Sequence, residues 1–92
     1  MASVYFSDNL GTLRQIGDAA QWQDCMKIIM DFLAEHNYHS YYQRLYSTKK
    51  NCITIDVGSH TEHFEVWGMK IEEVIHNGVS SFILLSRLFL SQ

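Results

Sequence analysis

The chain has 92 residues, 47% of them hydrophobic, with 7 basic and 10 acidic side chains and a formal net charge of −3. That length makes one domain, residues 1–92, with a thin core in which each large apolar residue counts, and it excludes a second domain. The negative balance is opposite in sign to the footprint of most nucleic-acid binders, so direct binding of duplex DNA or RNA is disfavoured.

Val4-Tyr5-Phe6 suits a short N-terminal strand, closed by Ser7-Asp8-Asn9, whose side chains favour turns by bonding their own backbone. Leu10 to Gly17 is the least legible stretch, because Leu10, Leu13 and Ile16 have weak helical spacing while Gly11 and Gly17 speak against a regular element. Asp18 and Gln21 then stand at the N-cap and third positions of a capping box. From there Trp22, Cys25, Met26, Ile29, Phe32, Leu33 and His36 recur at three- and four-residue steps, with Gln21, Gln23, Asp24, Lys27, Asp31 and Glu35 opposite. The pattern predicts an amphipathic helix of about five turns, ended by Asn37 in the left-handed conformation.

Tyr41–Tyr46, Cys52–Val57 and His63–Trp67 read as three strands, and the links Lys49-Lys50-Asn51 and Gly58–Glu62 are too short for anything but an antiparallel meander. A three-residue loop with Asn51 left-handed pairs Leu45 with Ile55 and Arg44 with Asp56; a four-residue loop would turn Tyr42 and Tyr46 inward. The first register is preferred, since it buries Leu45, Ile53, Ile55, Val57, Phe64 and Val66 together. The open face is then Tyr42, Arg44, Tyr46, Thr54, Asp56, His63, Glu65 and Trp67. Lys70 to His76 has helical propensity, stopped by Asn77-Gly78, and Val79 to Leu90 reads as a second packing helix or a strand, with helix preferred. The expected fold class is therefore α+β: an amphipathic helix, a three-stranded antiparallel meander and a C-terminal helix, with the short N-terminal strand as an addition.

Cys25 and Cys52 lack the spacing of a disulfide framework and read as reduced thiols. Met1–Phe6 has neither a basic region nor a long apolar run, so no signal peptide or membrane anchor is expected. Phe82 to Leu90, the most apolar tract, is broken by Ser86 and Arg87 and is shorter than the roughly 20 residues of a membrane span. These features point to a cytoplasmic protein, and the tract could pair two copies as a homodimer.

His36 with His39, and His60 with His63, form two His-x-x-His pairs near Cys52 and Asp56. Structural zinc usually includes paired cysteines, and the catalytic His-Glu-x-x-His motif sits on a helix, so no metal or other cofactor is expected. Ser59-His60 with Asp56 has the residue types of a nucleophilic set, but turn neighbours point apart and no Gly-rich elbow surrounds the serine, so no catalysis is expected. Glu72-Glu73 and Glu62 with Glu65 read as solvated carboxylates.

Two surfaces are candidates for binding a partner. Tyr42, Arg44, Tyr46 and Trp67 are types enriched at interface hot spots, unless the N-terminal strand or the tail folds over them. Asp24, Asp31 and Glu35, aligned on the helix, could present negative charge to a basic groove in imitation of nucleic-acid phosphates, or form only a wet helix face.

The expected order of helix, meander and helix is similar to the double-stranded RNA-binding domain. That family's lysine-rich entry to its last helix would fall at Asn77–Ser81, where there is no lysine, so its RNA contacts do not transfer. Asp31–Asn37, Ser40–Arg44 and above all Ile55–Phe64 resemble a group of small proteins encoded by phages and prophages of Gram-positive bacteria. The resemblance covers about half of the chain and stops before Val79. It implies a non-enzymatic inhibitor of a host protein, acting in the host cytoplasm, with anti-CRISPR blockade of an RNA-guided nuclease as the leading form. The group has no established functional residues to carry over. The alternative reading is a nucleic-acid-binding regulator.

Overall fold

The computed structural model describes residues 1–37, 43–59 and 61–76, with residues 75 and 76 described by their backbone alone. In chain order the elements are β1 (Ala2–Ser7), β2 (Leu13–Ala19), α1 (Trp22–Glu35), β3 (Arg44–Lys49), β4 (Cys52–Asp56), β5 (His63–Trp67) and α2 (Ile71–His76). The strands form one five-stranded sheet in the order β2-β1-β5-β4-β3, antiparallel at every pairing.

This corrects the helix-first expectation. Two strands precede α1, and they are integral: β1 pairs with β5 and joins an N-terminal hairpin to the later meander. The helix–meander–helix order that carried the likeness to the double-stranded RNA-binding domain is therefore not the order of this fold. The expected C-terminal helix over Val79–Leu90, and the homodimer contact drawn from Phe82–Leu90, lie outside the described residues. Among the described residues no helix is long and apolar enough to cross a membrane.

The strand that sequence reading misses is β2. It is an edge strand whose outer side has no neighbour in the sheet; backbone pairing with β1 and packing of Ile16 and Ala19 against the core hold it, without a regular apolar alternation. An irregularity between Val4 and Tyr5 of β1 shifts the register, opposing Gly17 to Val4 and Gln15 to Tyr5 and leaving Ile16 without an opposite residue. Asp18 is consequently not a helix cap. It lies in β2 opposite Ser3, and Gln21, extended and without a side-chain capping bond, precedes α1. The loop between the hairpin strands is held by Asp8, whose Oδ1 accepts the backbone N–H groups of Leu10 and Thr12, both at 2.9 Å.

In the meander, Arg44 opposes Asp56 and Leu45 opposes Ile55 as the preferred register requires, and Asn37 and Asn51 have positive φ of 51° and 55°. The β3–β4 turn is tighter than expected. Lys49 pairs with Cys52, and the register shifts between Tyr46 and Lys49. Ser47 Oγ lies 2.6 Å from the Cys52 carbonyl oxygen at this irregularity.

Alternation along the strands gives the sheet two unlike faces. On one, Val4 opposes Val66, which opposes Ile53, while Phe6 opposes Phe64, which opposes Ile55. α1 packs on this side through Trp22, Cys25, Met26, Ile29 and Leu33, and Val74 of α2 joins the same core. Gly17 permits close approach of the helix: a Cβ there would stand 2.9 Å from Ile28 Cδ1.

Gly68 ends β5 with φ of +102°, and an added Cβ would meet Met1 O at 3.3 Å and Ala2 Cα at 3.4 Å. Gly11 also has positive φ, +82°, but nothing lies within 4 Å of its added Cβ. Gly11→Ala should therefore lose only the conformational part, about 1 kcal/mol. Gly68→Ala should lose that plus the crowding against β1, about 2 kcal/mol in all. Urea unfolding of the two variants measures the difference, and equal losses would mean the β1 contact carries no weight.

Candidate functional site

The second face of the sheet is polar, and its centre is a buried carboxylate. Glu65 stands in the middle strand between Tyr5 of β1 and Thr54 of β4, and it is only 6% exposed. Its neighbours two residues away on the same strand, His63 and Trp67, point to the same face and close on it from both sides. His63 Nε2 donates to Oε2 at 2.9 Å, and Trp67 Nε1 donates to Oε1 at 2.9 Å. Lys49 Nζ, from the last residue of β3, lies 3.8 Å from Oε1 and 5.3 Å from the centre of the Trp67 ring. The Cys52 thiol also points at Oε1, at 3.7 Å.

This geometry sets the protonation states. Burial acts to raise the Glu65 pKa, but the hydrogen bonds from His63 and Trp67 and the charge of Lys49 outweigh it and hold the carboxyl below the usual range. Cys52 is pushed the other way, to about 11, by burial and by the adjacent Glu65 charge. Burial likewise raises Cys25, helped by Asp24. Glu65 is thus a fixed anion and both cysteines remain thiols, which suits a structural anchor rather than a general acid or a nucleophile.

The sequence-derived surface residues distribute as follows. Tyr42 lies outside the described residues, as do His39 and His60. Arg44 is tied to Asp56, Nη2 to Oδ2 at 2.8 Å. Tyr46, opposite Thr54, is 40% exposed. Trp67 is half-buried and held by Glu65. Asp24, Asp31 and Glu35 are all exposed on α1, spaced at seven and four residues and hence in one line along the helix. They face away from the core that α1 covers, so the acidic line and the polar sheet face lie on opposite sides of the fold.

Glu65 contradicts its reading as a solvated carboxylate. Its signal in the sequence was the alternation His63-x-Glu65-x-Trp67, which places two donors beside one carboxylate on a strand. No group of three metal-ligating side chains gathers among the described residues. Compared with protein-family models, with curated proteins and with solved structures, the chain has no match in any of the three.

Two outcomes follow from the anchor. A carboxyl whose pKa is lower folded than unfolded adds stability above the unfolded value, near 4.5, and that contribution disappears as pH falls through the folded value. Glu65→Gln should cost roughly 1–3 kcal/mol at pH 7 and flatten the loss of stability below about pH 4.5. Urea unfolding between pH 3 and 7 reads both effects, and parallel pH profiles would contradict the anchor. Separately, iodoacetamide at about pH 8 should leave both buried thiols of the native protein unmodified and alkylate both in denaturant; rapid native labelling of Cys52 would refute its raised pKa.

Proposed function

We propose that the protein is a non-enzymatic binding domain, a phage-type inhibitor that occupies a functional site on a host protein, with an RNA-guided nuclease as the leading target. The observation that carries the binding reading is the set of aromatic and cationic side chains that the polar sheet face brings together around Glu65 and Asp56. Trp67 and Lys49 are held by Glu65, Arg44 is held by Asp56, and Tyr46 stands exposed in the same strand as Arg44. Tyr, Trp and Arg supply most hot-spot energy, and side chains already ordered lose less entropy on docking. The resemblance of Ile55–Phe64 to phage proteins supplies the host-inhibitor context.

The two surfaces give two separable mechanisms. In steric occlusion the sheet face docks on the target; in nucleic-acid mimicry the line Asp24, Asp31, Glu35 enters a basic groove. The measurement is inhibition of DNA cleavage by purified RNA-guided nucleases. Under occlusion, Tyr46→Ala with Arg44→Ala weakens inhibition at least about tenfold, whereas Asp24→Lys, Asp31→Lys and Glu35→Lys together leave it intact. Mimicry reverses the two results. Absence of inhibition by the wild-type chain, or inhibition indifferent to both sets, removes the nuclease target.

A second reading has its own support. Lys49, Lys50 and Lys70 line one surface depression with Ser47 and Asn51, beside the face that carries Trp67 and Tyr46, and cations next to aromatic platforms suit single-stranded nucleic acid. Glu72 in the same lining and the net charge of −3 oppose it. Three phosphate contacts would give a log–log salt slope of about −2 for an oligonucleotide; a salt-independent or undetectable affinity dismisses this reading.

A further inference from the structure

We propose that the cleft between the C-terminal half of α1 and the β2–β1–β5 end of the sheet is a binding site for a small hydrophobic carboxylate, with one ring or an equivalent apolar body and a short acidic tail. Phe6, Phe32, Leu33, Val57 and Phe64 line it, together with Arg14, His36 and Glu62, around a cavity of about 250 Å³. An apolar cavity of about 150 Å³ accommodates benzene, so this one has room for a ring and a few further atoms.

The walls are aromatic rings packed on one another. Phe32 packs on Phe6 at 4.7 Å and on Phe64 at 5.6 Å between ring centres, and Phe6 meets Phe64 at 5.3 Å. His36 stacks on Phe32 at 4.1 Å. Its Nδ1 donates to the Phe32 carbonyl at 2.9 Å, which leaves Nε2 as the ring's other polar position.

The charge of the occupant follows from Arg14. It opposes Phe6 across the β1–β2 pairing and so shares the apolar face, with its guanidinium carbon 5.8 Å from the centre of the Phe32 ring. Among the described residues Arg14 forms no ion pair. Glu62, in the same lining, forms no ion pair with Arg14; its Oε1 accepts from Ser59 Oγ at 3.4 Å, and its charge opposes an anion, so the carboxylate must sit on the Arg14 side of the cavity. A cationic ligand would compete with Arg14 for the Phe32 face and be repelled by it. A carboxylate would meet a planar, two-pronged donor at the mouth of an apolar cavity, the arrangement that fixes orientation in small-ligand sites.

The test uses the full chain, 3-phenylpropionate and its neutral amide, followed by amide and methyl chemical shifts. The carboxylate should bind with a dissociation constant on the order of 0.1–1 mM, shifting signals of Phe6, Phe32, His36 and Phe64, and at least tenfold more tightly than the amide. Arg14→Gln, an exposed strand position, should remove that preference, whereas Arg14→Lys should retain part of it. Equal affinity for the two probes, shifts confined to another region, or no shifts at several millimolar would each overturn the site, and none of these results bears on nuclease inhibition.

Discussion

The pairing of β1 with β5 is the constraint on which the rest of the molecule depends. An isolated hairpin is marginal in water, and independent stability takes three or more strands with an apolar face, or a helix packed on them. Setting Val4 against Val66 and Phe6 against Phe64 joins the N-terminal hairpin and the meander into one sheet wide enough for α1 to cover. α1 in turn spans the connection from the β2 edge to the β3 edge, since the strands it links stand at opposite ends of the order β2-β1-β5-β4-β3. Each element therefore borrows its buried surface from a segment distant in sequence. The aromatic cleft is a product of the same closure, because Phe6, Phe32 and Phe64 come from three separate elements and meet only when β1 docks.

The closure also distributes charge. α1 turns its apolar side inward and carries Asp24, Asp31 and Glu35 outward, while Lys49, Lys50 and Lys70 gather at the β3–β4 turn. A chain with a modest net charge thus presents an acidic helix and a basic corner. Net charge alone, which argues against nucleic acid, averages over this division and describes neither surface.

Much of the later chain was legible because its signals are local or two-residue periodic. The core face of β4 and β5, the Arg44–Asp56 register and the left-handed Asn37 and Asn51 follow from alternation and turn chemistry. The first third was not legible for physical reasons. β2 has no regular apolar alternation, carries two residues of low strand propensity in Gly17 and Asp18, and is interrupted at Ile16. Asp18 followed by Gln21 mimics a capping box, yet backbone pairing with β1 claims Asp18 for the sheet before the helix begins. Arg14, which defines the cleft's charge, was hidden with β2, since only the pairing reveals that it shares a face with Phe6.

Glu65 shows why a central strand would keep a buried charge. A carboxylate at this position gains less than a well-packed apolar side chain would, because desolvation offsets much of the attraction to its partners. What it supplies is discrimination between registers. β5 reads His63, Phe64, Glu65, Val66, Trp67, and a slip of one residue would turn Glu65 into the space of Phe64 or Val66, beneath α1 and away from His63, Trp67 and Lys49. An unpaired carboxylate there would cost several kcal/mol, far more than the slipped backbone pairing could return. The residue that fixes the aromatic and cationic side chains of the outer face thereby also fixes the strand on which both faces of the sheet are built.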